Sequence, residues 1–222
     1  MDWQALWLSI ELALVTLVVL LPLGLALGRW LATTTVAGRA WIEALVMLPL
    51  VLPPTVLGYY MLVSLGGASP VGRWLAEQVG IQVTFNFAGL VLASTVFNIP
   101  FIVQPIQRAF EAIPRDLGEA AAVSGLGFWA QLRRVELPLA WPGILSAMVL
   151  TFVHTLGEFG VVLMVGGNIP GRTRVISIAI YEQVETLNFA QAHLLSAGLL
   201  LFSFVVLVLV YALNRRFPVH AA

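Results

Sequence analysis

The sequence predicts an all-α membrane protein with about five transmembrane helices. Two observations carry that fold class. Of the 222 residues, 60% are hydrophobic and 10% are charged. A soluble domain carries about 25% charged residues and could not hide so much apolar surface from water. The charges are also clustered, leaving the runs 12–28, 44–72, 78–107, 137–157 and 186–214 without Asp, Glu, Lys or Arg. A helix needs roughly 20 apolar residues to cross the hydrocarbon core. The first run reaches that length by extending back through Trp3–Ile10. Spans are therefore expected at about 6–28, 42–65, 86–107, 142–165 and 192–213, in one membrane domain covering 6–213.

Charge narrows the class further. The 11 basic residues are all Arg and balance 11 acids. Zero net charge argues against a polyanion-binding surface, so no nucleic-acid partner is expected. Too few charges are present for a disordered chain. The lack of Cys excludes disulfides, thiolate nucleophiles and Cys metal sites. The first span begins Met1-Asp2-Trp3, has no basic leader and runs straight into Arg29, so it reads as a retained helix rather than a cleaved signal peptide.

Five spans place the termini on opposite sides. Arg29, Arg39, Arg108, Arg115, Arg133, Arg134, Arg215 and Arg216 share one side; Arg73, Arg172 and Arg174 share the other. The positive-inside rule makes the first side cytoplasmic, with the N-terminus outside and the C-terminus inside. Trp3, Trp7, Trp30, Trp41, Trp74 and Trp141 fall near span ends, as expected of a lipid-interface belt. The stretch 175–190 carries Glu182 and Glu185 and reads as an amphipathic external segment rather than a span.

Proline interrupts several spans. Pro22, Pro100 and Pro105 are single cases, ordinary in membrane helices. Pro49, Pro53 and Pro54 form a cluster, and broken backbone at membrane depth belongs beside protein or a wet cavity. This cluster is read as functional.

The loop between the third and fourth spans, 108–141, is the most informative stretch. Pro114 and Asp116 suit a helix start, Ala120, Ala121 and Ala122 favour helix, and Gly125 suits a left-handed stop. A short helix is expected over about 114–124. A second is expected from Phe128 to Val135, ending before Pro138, with Phe128, Trp129 and Leu132 as an apolar ridge.

Glu119-Ala120-Ala121, three residues, Gly125, nine residues, then Val135-x-Leu137-Pro138 resembles the EAA loop of ABC-importer permeases, with Val in place of Ile. The resemblance implies a type I ABC importer permease fold. It implies that Glu119, Ala120, Ala121, Gly125, Leu137 and Pro138 shape a coupling loop, and that Leu126, Gly127, Phe128 and Trp129 meet a cytoplasmic ATPase. Two further stretches, Leu48–Tyr60 (LPLVLPPTVLGYY) and Thr155–Ile176 (TLGEFGVVLMVGGNIPGRTRVI), are similar to the molybdate permease subunit. That likeness implies a homodimer with the path on its two-fold axis, two ATPase subunits beneath it and an external oxyanion-binding protein. Molybdate is the expected substrate and tungstate nearly matches it. Sulfate or thiosulfate is the nearest alternative.

A tetrahedral dianion is costly in hydrocarbon and needs a polar path. Thr55, Ser94, Thr95, Asn98, Thr151 and Thr155 are candidate lining groups, with Gly58 and Gly89 leaving room. Glu158 is the acid deepest in apolar context, expected as a gate or a structural partner. His154 lies four residues earlier, on the same face of a helix, and reads with Glu158 as a packed polar pair, since two ligands are too few for a metal. Arg172 and Arg174 are read on the outer loop, either solvated or engaging anion or partner.

No GxxxxGK[ST], GxSxG or HExxH occurs. The chain is expected to bind no cofactor and no metal and to catalyse no reaction, with ATP and Mg on the partner ATPase. An intramembrane enzyme using His154 and Glu158 and a passive anion channel are the readings of other classes.

Overall fold

The computed structural model describes residues 2–80 and 82–214. Arg215 and Arg216, which enter the orientation argument, lie outside the described residues. Among the described residues four helices are long and apolar enough to cross a membrane, and a bent pair passes the same test when its two pieces are taken together as one span.

Helix α1 (Trp3–Thr33) starts on Asp2, whose carboxylate accepts the Ala5 N–H at 3.0 Å. Its buried residues recur every three or four positions, through Ala5, Ser9, Leu12, Thr16, Leu20, Gly24, Gly28 and Leu31. From Leu12 onward that stripe faces helix α5 (Phe87–Glu111), while Ala5 and Ser9 meet Ile176. A Cβ at Gly24 would stand 2.8 Å from Ile102, and one at Gly28 2.8 Å from Ile106. In lipid, where no hydrophobic force drives helices together, small residues allow this close packing.

The second crossing is not one straight helix. Helix α2 (Arg39–Val51) and helix α3 (Pro54–Leu65) meet at a 104° bend. Pro53 and Pro54 supply no N–H, and Pro54 opens α3 at a position where the donor is not needed. The predicted span 42–65 is therefore corrected to a broken pair, cut where the proline cluster suggested. The single prolines Pro22, Pro100 and Pro105 stay inside unbroken helices.

Helix α4 (Pro70–Trp74) runs into a π-helical turn, Leu75–Val79. Helix α5 (Phe87–Glu111) is capped by the Asn86 side chain on Gly89 N–H at 2.9 Å. Helix α6 (Arg115–Val123) follows, then α7 (Phe128–Gln131), a π-helical turn (Leu132–Glu136) and α8 (Leu137–Leu156). These last three form one helical run of 29 residues. The expected stop before Pro138 is thus wrong. Leu137 N–H reaches back to the Leu132 carbonyl, and this re-registered turn absorbs the donor that Pro138 lacks.

The expected span 142–165 is corrected at both ends. It begins earlier, and its helix stops at Leu156. Gly157, Glu158 and Phe159 break the backbone before the short α9 (Gly160–Gly166). Helix α10 (Ile176–Glu185) has 10 residues, about 15 Å, too short to span, in keeping with an amphipathic segment. Helix α11 (Phe189–Asn214) completes the chain. The main core joins α1, α2, α5 and α8 around Leu20, Val46, Ile102, Ile106 and Ile144.

Candidate functional site

The first half of the loop after α5, up to Gly125, has the geometry its sequence suggested. Gly125 adopts φ +74°, which L side chains resist, and it ends α6. Leu126 N–H donates to the Ala121 carbonyl at 3.1 Å and Ser124 N–H to the Ala120 carbonyl at 3.0 Å. These bonds satisfy the last carbonyls of the helix. Glu119 and Ala120 are exposed, Ala121 is buried, and Leu126 is half-buried. Beyond them Gly127, Phe128 and Trp129 stand out from the surface, the two rings edge to face at 5.3 Å. Leu137 packs on the main core, while Pro138 is exposed in the first turn of α8.

Two ion networks tie this end of the bundle together. Arg39 pairs with Glu43 at 2.8 Å and with Glu111 at 2.6 Å, joining α2 to α5, and Gln107 donates to both acids. Arg29 of α1 forks onto Glu136, with Nε to Oε2 at 2.6 Å and a second nitrogen to Oε1 at 3.0 Å. Sequence reasoning singled out neither Arg29 nor Glu136 as a site residue. They are 107 positions apart, and no short-range pattern announces them.

The second feature is where the broken helices meet. Gly160, opening α9, sits against Pro54 and Thr55, opening α3. Gly58 abuts Val161 and Met164, and Gly89 abuts the Val83 carbonyl. Neither glycine leaves open space, so their expected role as room for a path is corrected to close packing, of Gly58 on α9 and of Gly89 on the loop that precedes α5.

Behind this junction lies a buried polar chain. Asn98 of α5 donates to Glu158 Oε2 at 3.2 Å and to the Ser94 carbonyl at 2.8 Å. Its carbonyl oxygen faces His154 Nδ1 at 2.9 Å. The His154 ring stacks on Phe101, with centroids 3.7 Å apart. Ser177 Oγ donates to the Glu158 carbonyl at 2.5 Å. His154 and Glu158 are therefore not a direct pair on one helix face, because α8 ends between them. Asn98 bridges them.

Of the proposed lining groups, Asn98, Ser94, Thr151, Thr155 and Glu158 are buried within the chain, and Thr155 donates back to the Thr151 carbonyl at 2.8 Å. Thr55 alone among the six hydroxyl and amide candidates is exposed, beside the bend. Arg174 is not a free outer-loop cation. It pairs with Asp2 and Glu182, both at 3.0 Å, while Arg172 is exposed. Among the described residues no group of three His, Cys, Asp or Glu is placed to hold a metal.

Relatives place this architecture. The chain is 48% identical over 217 residues to the molybdenum transport system permease protein ModB of Azotobacter vinelandii, covering 97% of this chain and 95% of that one. It is 38% identical over 185 residues to the protein of the same name in Escherichia coli K12, covering 83% and 81%. A chain of a bacterial alginate ABC transporter, solved in complex with an alginate-bound periplasmic protein, superposes with TM-score 0.79 at 18% identity, covering 96% and 78%. That likeness shows the fold of an ABC importer permease. The family model for the binding-protein-dependent transport system inner membrane component matches residues 12–218. The chain belongs to that family, a family of multi-pass membrane permeases and not of enzymes.

Proposed function

We propose that this chain is the permease subunit of an ATP-driven ABC importer that carries molybdate, and tungstate with it, across the bacterial cytoplasmic membrane. The observation that carries the substrate is the 48% identity to a molybdenum permease over nearly the whole of both chains. In this reading the end bearing α6 and α7 is cytoplasmic, and the N-terminus lies outside. Phe128 and Trp129 enter a groove on an ATPase subunit, and the Gly125 stop holds them at a fixed distance from α6. ATP and Mg act on that partner, and this chain performs no chemical step.

A second copy of the chain completes the path. The support is the exposed face of the α2–α3 bend, where Val51 is 76% and Tyr60 62% exposed and Thr55 is also open. Broken backbone is tolerated at membrane depth only against protein or a wet cavity. Two such faces across a two-fold axis leave a route between them, with the Thr55 and Tyr60 hydroxyls as its polar groups. Asn98 and Glu158 hold the junction from behind. An external oxyanion-binding protein delivers the anion.

The test is uptake into proteoliposomes holding this chain, its ATPase and its binding protein. ATP-dependent uptake of radiolabelled molybdate that resists excess sulfate is the expected result. Uptake abolished by modest sulfate moves the substrate to the sulfate class. Uptake without ATP indicates a passive channel.

A further inference from the structure

The tie between Arg29 and the loop reaches beyond the loop's own sequence motif. One guanidinium does two things there. Its nitrogens fork onto the Glu136 carboxylate at 2.6 and 3.0 Å, and its central carbon lies over the Phe128 ring, 4.7 Å from the ring centre. Gln131 adds a bond to Glu136 at 3.1 Å. Glu136 is only 8% exposed, so losing the guanidinium would strand a buried charge. Among the described residues this is the one ion pair that joins 112–136 to another helix. Beside it, a cavity of about 580 Å³ runs between Thr33, Thr35 and Arg39 on one side and Gly118, Gln131 and Val135 on the other. The loop is therefore not packed solidly against the α1–α2 connection, and the Arg29 fork is the polar tie at that cavity's edge.

We infer that Arg29 is a positioning residue that passes displacement of Phe128 to α1. This rests on the reading of the loop as the ATPase-docking element. The ring that meets the ATPase is the ring on which Arg29 lies. Arg29 follows Gly28, which packs against Ile106 of α5. Helix α5 in turn carries Asn98, which grips Glu158 at the break of the fourth crossing. A Lys at position 29 would keep the charge but supply neither the fork nor the flat face.

The chain has no Cys, so a single Val51→Cys reporter beside the bend can be labelled by a membrane-impermeant maleimide. Labelling rates are compared in the assembled permease–ATPase complex, nucleotide-free and trapped with ATP and vanadate. A several-fold change on trapping is expected in the parent. Arg29→Lys and Glu136→Gln are each expected to shrink that change to a third or less while the ATPase still co-purifies. A full change in either variant overturns the inference. So does loss of ATPase binding in both, which makes the pair a structural tie only. A parent complex that shows the trapping change but takes up no molybdate sinks the substrate reading and leaves the Arg29 joint standing.

Discussion

Pro54 and Gly160 touch across the two broken crossings. A Cβ at Gly160 would stand 2.9 Å from the Pro54 Cβ and 3.4 Å from the Thr55 nitrogen. The first turns of α3 and α9 thus rest on one another with only the Pro54 ring between. Gly160→Leu is expected to destabilise the protein by about 1–3 kcal/mol through overpacking. The check is the thermal midpoint in detergent, where an unchanged value would mean the two helices can part freely.

Asn98 holds both His154 and Glu158. Asn98→Leu keeps the branched shape, though not the volume, and removes both bonds, leaving a buried acid short of a partner at a cost of about 1–3 kcal/mol. Glu158→Gln still offers an oxygen to Asn98 and is expected to change stability by less than about 1 kcal/mol. Measured side by side, Asn98→Leu should melt first. The reverse order would show that the Glu158 charge, not the bridge, carries the stability.

Gly125→Val places a β-branched residue at φ +74°, with strain of about 1–2 kcal/mol. The Leu126 to Ala121 bond loosens, and Phe128 and Trp129 lose their fixed offset from α6. Membrane insertion is expected to persist while ATPase co-purification falls. Undiminished co-purification would remove the assignment of this loop.

Arg174 joins the start of α1 to α10 through Asp2 and Glu182. All three side chains are partly exposed, so Arg174→Gln should cost no more than about 1 kcal/mol, and less in high salt. Thermal melts at two ionic strengths would check this. A loss insensitive to salt would point to packing instead.

What could be read in the sequence is what short-range chemistry dictates. Pro53 and Pro54 marked the first break because proline removes donors wherever it stands. Gly125 marked the end of α6 because its backbone region excludes side chains. The second break carried no such mark, since no proline stands at Gly157-Glu158-Phe159 and Gly157 is one small residue among many. Asn98 was legible as a polar group in a span, but its partners lie 56 and 60 residues away. The Arg29 fork was hidden for the same reason. The continuity through Pro138 was missed because a π-helical turn can absorb a proline that an α-helical turn cannot.

The bend between α2 and α3 has a consequence for synthesis. The two pieces have 13 and 12 residues, about 20 and 18 Å, so neither alone bridges a hydrocarbon core of about 30 Å. The seat for α3 is α9, which leaves the ribosome roughly a hundred residues later, about 5–20 s at ordinary elongation rates. For that interval the segment after Pro54 has no finished place to rest. Its integration is a late event, completed only when most of the chain has been translated, and a chain truncated before Gly160 should leave it exposed to the quality-control proteases of the membrane.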